Sequence, residues 1–392
     1  MAVSQRSFCV VMLLLAGAAP VWAGLPFVTP ESVGMSSQQL QRIDEIVAEG
    51  LSQKKMPGCV VSVGRHGHIV KLQAYGHRQV QPTELPMTTD TVFDMASITK
   101  PVATATSIML LIEREQLQLS DKVSSLIPEF AAHGKEAVTI RDLLIHQSGL
   151  IADNPAADYD HGTEEAFRRI YNLKLVAPTG SKFIYSDVNF LLLGDIVRRV
   201  SGRPLNEFAW DNIFSRLGMC ESGYRPHAAL RLRAAPTEQR AGQWIQGEVH
   251  DPRAFKLGGV AGHAGLFSTA ADLAVYAQMM LNRGEYCGVR ILAPQSVELM
   301  TRSEKVSTGI RGLGWDKRTG FSSNRGERLS DSAFGHGGFT GTVLWIDPEL
   351  DLFFLFLSNR VHPNGKGSVN QLAGKIATVA AESILDQPIR AK

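Results

Sequence analysis

The segment Ser97-Ile98-Thr99-Lys100 places a hydroxyl and an amine three residues apart at the entrance to a long apolar stretch. Where a helix begins, positions i and i+3 share a face, so the amine stands beside the hydroxyl. A free serine is a poor nucleophile, and an adjacent base must take its proton. Lysine can do so only where burial and neighbours keep a useful fraction neutral. A helix N-terminus further favours negative charge developing nearby. The same spacing recurs at Ser52-Gln53-Lys54-Lys55, but at the polar end of a helical pattern, just before Met56-Pro57-Gly58. A solvated face is the expected role there; the surroundings of Ser97 are apolar enough to desolvate a lysine.

Two further groups could complete such a site. Tyr185-Ser186-Asp187 follows the turn Pro178-Thr179-Gly180-Ser181. A tyrosine near a lysine can share a proton and serve as the base; the plainer alternative for Tyr185 is a half-buried ring with a satisfied hydroxyl. Asp187 is either part of the site or simply the N-cap of the apolar helix that follows it. The third group is His336-Gly337-Gly338-Phe339-Thr340-Gly341, at the start of a strand-like region. Glycines there let a substrate approach the strand backbone, and the N–H groups of Ser97 and Phe339 would then form an oxyanion hole. Lys317-Arg318-Thr319-Gly320 has the look of a charged loop.

The elements that must position these residues are legible as patterns. Residues 36–50 carry Leu40, Ile43, Ile46 and Val47 at helical spacing, opened by serine and closed by Gly50. Residues 59–63 and 69–74, separated by Gly64-Arg65-His66-Gly67-His68, predict a β-hairpin. The middle of the chain reads as helices over 102–112, 139–145, 190–200 and 270–281. Strands return at 342–346 and 352–357 around Asp347-Pro348-Glu349-Leu350, and a final helix spans 368–385. Strands at both ends and helices between them predict an α/β (α+β) fold. One antiparallel sheet is built from both termini and flanked by helices, with a helical lobe inserted. The expected division is a sheet lobe over 24–96 and 285–392 and a helical lobe over 97–284.

The 392 residues suffice for one large domain. Forty Lys and Arg against 38 Asp and Glu give a net charge of +2, with no nucleic-acid footprint. Arg6, the apolar run 8–19 and Val21-Trp22-Ala23 predict a signal peptide over 1–23, too short for a comfortable transmembrane helix. Residues 24–392 would then act in the periplasm or outside the cell, with no stable membrane span. Cys59, Cys220 and Cys287 survive that cleavage, an odd number; a Cys220–Cys287 bridge is left open, and Cys59 reads as a buried strand residue. His250, Asp251 and His263 sit in a Gly-rich segment that either lines the cleft or is loop structure. His66-Gly67-His68 resembles part of a metal motif without a nearby carboxylate, so no metal site and no cofactor are expected. The absence of G-x-S-x-G disfavours an α/β-hydrolase fold.

Ser97-x-x-Lys100, Tyr185-x-Asp187 and His336-Gly337-Gly338 stand in the order of the S-x-x-K, Y-x-N and K-T-G motifs. The chain resembles the penicillin-binding-protein and class C β-lactamase superfamily, including its esterase branch, over roughly residues 30–385. Leu144-Ile145-His146-Gln147-Ser148-Gly149-Leu150, Gly265-Leu266-Phe267-Ser268-Thr269-Ala270-Ala271-Asp272 and Gly312-Leu313-Gly314-Trp315 support the resemblance. Residues 184–188, 247–251 and 258–268 are most similar to periplasmic D-alanyl-D-alanine carboxypeptidases. The resemblance implies Ser97 as nucleophile, Lys100 and Tyr185 as proton-handling groups, and His336 at the third-motif position. Two departures matter. Histidine titrates near neutrality, so its hold on a substrate carboxylate is weaker and pH-dependent. Asp187 replaces an amide that can donate, whereas a carboxylate only accepts. Both changes count against efficient β-lactam hydrolysis. The leading expectation is a carboxypeptidase acting on peptidoglycan stem peptides and open to acylation by β-lactams. Next come a carboxylesterase on small acyl esters, a β-lactamase and a non-catalytic binding protein.

Overall fold

The computed structural model describes residues 24–385, so the predicted signal peptide lies outside the described residues. Helix α1 (Ser37–Ser52) begins where Ser36 Oγ accepts the Gln39 N–H at 3.2 Å and buries Leu40, Ile43 and Val47. It does not stop at Gly50 as its sequence suggests. Gly50 instead faces Leu372, where a side chain would collide, and so lets the C-terminal helix come close.

The hairpin follows as β1 (Gly58–Arg65) and β2 (His68–Gln79), with β3 (Leu85–Pro86) at the edge. The remaining strands come from the C-terminal third: β4 (Glu304–Val306), β5 (Gly309–Arg311), β6 (Asp316–Arg318), β7 (Phe334–Gly337), β8 (Thr342–Asp347) and β9 (Leu352–Ser358). They form one nine-stranded antiparallel sheet in the order β4-β5-β6-β7-β8-β9-β1-β2-β3. Both termini therefore build it, as expected, and the seam is the β1–β9 pairing, with Cys59 opposite Ser358.

The run Leu352-Phe353-Phe354-Leu355-Phe356-Leu357 is apolar on both faces because both faces are covered. Phe354 and Phe356 join the core beneath α1 and α6 (Asn370–Glu382), while Phe353, Leu355 and Leu357 join the core shared with the helical lobe. That lobe contains α2 (Thr106–Glu113), α3 (Ile140–Leu144), α4 (Asp187–Ser201) and α5 (Ala270–Leu281), the last packed on the sheet.

Two readings need correction, and one open question is answered. Lys317 is not in a charged loop: it belongs to β6, is buried, and donates to the carbonyls of Thr301 (2.9 Å) and Ser332 (3.2 Å). Cys220 and Cys287 are free, exposed thiols rather than a bridge. The His66-Gly67-His68 turn does meet a carboxylate, Asp351, at 2.6 Å from His66 Nδ1. No helix among the described residues is long and apolar enough to cross a membrane.

Candidate active site

Ser97 sits on a short 3-10 turn, Ala96–Ile98, leading into a π-helical turn, Lys100–Ala105, and then α2. Ala96 is forced to φ +44°, a conformation that strains a residue with a Cβ. Its N–H is held by Asp94 Oδ1 at 2.8 Å, while Asp94 Oδ2 accepts the His250 N–H at 2.7 Å. Burial raises the Asp94 pKa above the usual carboxylate range, against these backbone bonds. The Asp94-Met95 segment is tied to the third motif. Thr340 Oγ1 donates to the Asp94 carbonyl (2.7 Å) and Thr342 Oγ1 to the Met95 carbonyl (3.1 Å). Gly338 lies in this seam, and a Cβ there would fall on Thr342 Oγ1 and 2.5 Å from the Met95 carbonyl. The adjacent turn closes with Gly338 N–H to the Thr342 carbonyl at 2.7 Å, leaving Phe339 at its corner.

Lys100 is fully buried. Its Nζ donates to Ser97 Oγ at 2.9 Å and to the His263 carbonyl at 3.3 Å, and pairs with Asp187 Oδ1 at 2.6 Å. The Tyr185 ring lies 4.9 Å from Nζ. Burial pulls the lysine pKa down, but Asp187 and Tyr185 outweigh it and hold Lys100 above the ordinary lysine value. Asp187 is not the N-cap: Ser186 caps α4, with Oγ accepting the Asn189 N–H, which frees the Asp187 carboxylate to face the lysine.

Behind Lys100 lies a second pair. His263 Nε2 and Asp251 Oδ1 are 2.9 Å apart, and Asp251 also accepts the N–H groups of Arg253 (2.9 Å) and Ala254 (2.7 Å). Burial opposes charge on His263, yet Asp251 and Asp187 raise its pKa above the ordinary value; Asp251 is held below its own. Asp187, Asp251 and His263 bring ligand atoms within 4.8 Å of one another, a spacing a metal ion could bridge. Both carboxylates already have a partner within the cluster, Asp187 with Lys100 at 2.6 Å and Asp251 with His263 at 2.9 Å. The Gly-rich segment is therefore part of the site, and its pairing was invisible in sequence.

Tyr185 is held between rings, with His146 at 4.6 Å, Phe321 at 5.0 Å and His336 at 6.0 Å. His146 Nδ1 accepts the Ser186 N–H at 3.0 Å and fixes the loop carrying Tyr185. Sequence reasoning assigned His146 no role, although it lies in the Leu144–Leu150 stretch already singled out. His336 is buried, and Nδ1 donates to the Gly337 carbonyl at 2.8 Å. Burial first, then Arg311 and Lys100, push the His336 pKa well below its ordinary value. It is thus neutral at neutral pH, not the near-neutral switch expected from its residue type.

Ser97, Tyr185, His336, Phe339, Arg311 and Arg360 line one cavity of about 300 Å³. Phe339 is exposed, stacked on His250 (5.6 Å) and capped by the Arg360 guanidinium at 4.5 Å. A larger cleft of about 840 Å³ on the helical lobe, lined by Phe167, Tyr171, Asp195 and Leu257 among others, contains none of these groups. Residues of all three motifs line the smaller one.

Residues 43–378 match the protein-family model described as "Beta-lactamase". The chain is 31% identical to the "N-acetylmuramyl-L-alanine amidase" of Bacillus subtilis (strain 168), over 86% of this chain and 84% of that protein. It is 32% identical to the "Putative D-alanyl-D-alanine carboxypeptidase" of Escherichia coli (strain K12), over 91% of each. Among solved structures, a penicillin-binding protein homologue from Caulobacter crescentus superposes with a TM-score of 0.71, at 21% identity, over 89% of this chain and 99% of that one.

Proposed function

Because the chain belongs to the beta-lactamase family, whose fold is that of serine hydrolases, we propose that it is an exported acyl hydrolase working through an acyl-enzyme on Ser97. Its preferred substrates are D-alanyl-D-alanine peptides of peptidoglycan, and its single hydrolase domain spans 24–392. The observation that carries this reading is the buried Lys100 ammonium, 2.9 Å from Ser97 Oγ, with Ser97 lining a cavity of about 300 Å³. Similarity to a protein named as a carboxypeptidase supports the substrate class. The N-terminal apolar run supports export.

The charges support Tyr185 as the base. Asp187 holds Lys100 protonated, so the amine has no free lone pair at neutral pH. Tyr185 is left as the base, its ring 4.9 Å from Lys100 Nζ and in the same cavity as Ser97, and in this reading it enters the cycle as the phenolate. Tyr185 oxygen therefore takes the Ser97 proton as Oγ bonds to the acyl carbon, and Lys100 steadies both oxygens. The oxyanion accepts hydrogen bonds from the Ser97 and Phe339 N–H groups. As the C–N bond breaks, Tyr185 returns the proton to the leaving amine. Water then attacks the acyl-enzyme, gives its proton to Tyr185, and the acid departs as Ser97 regains a proton. Asp187 fixes Lys100, and Gly337 and Gly338 open the strand edge to the substrate.

A second reading, a carboxylesterase on small acyl esters, is favoured by one observation: neutral His336 occupies the third-motif position where an anion-holding lysine would stand. The test is kcat/KM on an acyl-D-Ala-D-Ala peptide and on a short-chain p-nitrophenyl ester, with Ser97→Ala as background. Ser97-dependent peptide turnover is expected; ester turnover alone would replace the peptidase with the esterase.

A further inference from the structure

Two carboxylates crowd the buried Lys100, and one of them stands where the Y-x-N motif carries an uncharged amide. Asp187 pairs with Lys100 Nζ at 2.6 Å, and Asp187, Asp251 and His263 bring one polar atom each within 4.8 Å of one another. His263 is buried and meets the lysine by two routes. Its main-chain carbonyl accepts from Lys100 Nζ at 3.3 Å, and its ring lies beside the lysine's counter-ion, Asp187. The backbone around it is pinned to the catalytic turn. The Gly262 carbonyl accepts from Thr104 Oγ1 at 2.7 Å, the Leu266 N–H donates to Thr99 Oγ1 at 3.0 Å, and the Met95 N–H donates to the Leu266 carbonyl at 2.9 Å. A Cβ on Gly262 would fall on the Phe190 carbonyl of α4, so only glycine lets the segment lie this close. The His263 ring is oriented by Asp251 alone: Nε2 meets Asp251 Oδ1 at 2.9 Å, and Nδ1 has no hydrogen-bond partner. The Arg253 and Ala254 N–H groups fix Asp251 in turn.

The charges of this cluster balance only if His263 carries one. Lys100 against Asp187 and Asp251 leaves an excess negative charge in a largely buried space, and an unbalanced buried charge is costly. Outside the cluster, Asp153 and Arg253 Nη1 stand 3.5 Å apart and balance each other. We propose that His263, aimed by Asp251, is the second counter-ion of Asp187, so that this carboxylate stands between two cations and Lys100, Asp187, His263 and Asp251 sum to zero charge. The inference rests on the Ser97 hydrolase proposed above and deepens it. Burial opposes charge on the ring, as Lys100 does, but Asp251 and Asp187 outweigh both. His263 is a positioning residue: it does not line the catalytic cavity and acts through Asp187 and Lys100. Without its charge, the excess negative charge beside Ser97 would oppose the one that develops on the oxyanion during acylation. A carboxylate is workable in the second motif of this chain because a ring far along the sequence neutralises it.

Two measurements test this, one of them independent of catalysis. The first follows the ring resonances of His263, assigned through the backbone, by NMR between pH 5 and pH 10. Wild-type His263 should titrate above the ordinary histidine value of about 6.5, and both Asp187→Asn and Asp251→Asn should bring it down. The wild-type curve is decisive by itself if a variant does not fold. The second is the rate at which a short-chain p-nitrophenyl ester acylates Ser97, with Ser97→Ala as background. In the wild type this rate should fall as pH rises through the His263 titration. His263→Gln keeps a donor for Asp251 without the charge. At pH 7 it should acylate on the order of 10-fold more slowly, the worth of one unit charge about 10 Å away inside a protein, and it should lose that limb of the pH profile. A ring that only buttressed the segment would leave the shape of the profile unmoved. His263 titrating at or below the ordinary value in the wild type, or indifferent to Asp187→Asn, overturns the proposal, and so does a His263→Gln protein with the wild-type pH profile. Failure of the ester to acylate the wild type would sink the Ser97 reading alone, and the NMR titration would still decide His263.

Discussion

Replacing Asp187 with asparagine removes the carboxylate 2.6 Å from a lysine that has no exposure to solvent. Breaking a buried ion pair by deleting one partner costs about 3–5 kcal/mol. The loss has a ceiling, because Lys100 can shed its proton instead. Neutralising a lysine of ordinary pKa near 10.4 at pH 7 costs about 4.6 kcal/mol, at about 1.36 kcal/mol per unit. A deficit of about 3–4.6 kcal/mol at pH 7 is therefore expected. Its pH dependence follows from the signs. In the wild type the folded pKa of Lys100 is raised, so its contribution is intact below the unfolded pKa and is lost only as pH rises through the higher folded value. In the variant only Tyr185 still opposes burial, so the folded pKa falls and the variant gains stability as pH rises towards 10. His263, raised by Asp251 and Asp187 against burial, moves the difference the same way. Urea unfolding of both proteins at pH 7 and pH 10 should show the gap shrinking by at least about 2 kcal/mol. A gap below about 1 kcal/mol at pH 7, or one that does not change with pH, would refute the assignment of Asp187 as the counterion that keeps Lys100 charged.

Gly338→Ala should push the Phe339 turn off the Met95 carbonyl and lower kcat/KM by about 10²–10³, the usual loss of one oxyanion donor; circular dichroism would show the fold retained. Thr139→Ala removes the side chain that accepts the Asp142 N–H at the start of α3 and should cost about 1 kcal/mol in urea unfolding. Burial raises Asp272 to about 6 despite bonds from Ser222 and the Glu221 N–H. The folded state thus takes up this proton before the unfolded state, and the group's contribution to stability improves as pH falls from 7 to 5. Asp272→Asn removes that gain, so the stability of the wild type relative to the variant should rise by roughly 1 kcal/mol between those two pH values.

Periodicity disclosed a sheet built from both chain ends because strands covered on both faces, such as 352–357, are apolar throughout, and strands at both chain ends leave few topologies. Ser97 and Lys100 were legible because a helix start fixes their separation. Asp187 was ambiguous because its neighbour Ser186 is an equally good cap, and only the fold decides which of the two turns inward. The titration of His336 was misjudged from residue type, since burial beside Arg311 and Lys100 overrides it. Arg311, His146 and the His263–Asp251 pair carried no local pattern. The groups they surround, Lys100 and Tyr185, lie tens of residues or more away along the chain, and packing over such separations leaves no periodic mark in sequence.

The seam between β1 and β9 also sets a clock. Residue 59 waits for residue 358, and Ser97 waits for the strand at 334–337 and for Thr340 and Thr342 to close over Asp94 and Met95. Contacts of such long separation form late and slowly. A chain still growing from the ribosome, or one cut short before its last strand, thus has every residue of the first motif and none of the hydrolytic power. The catalyst comes into being only when the two ends of the molecule meet.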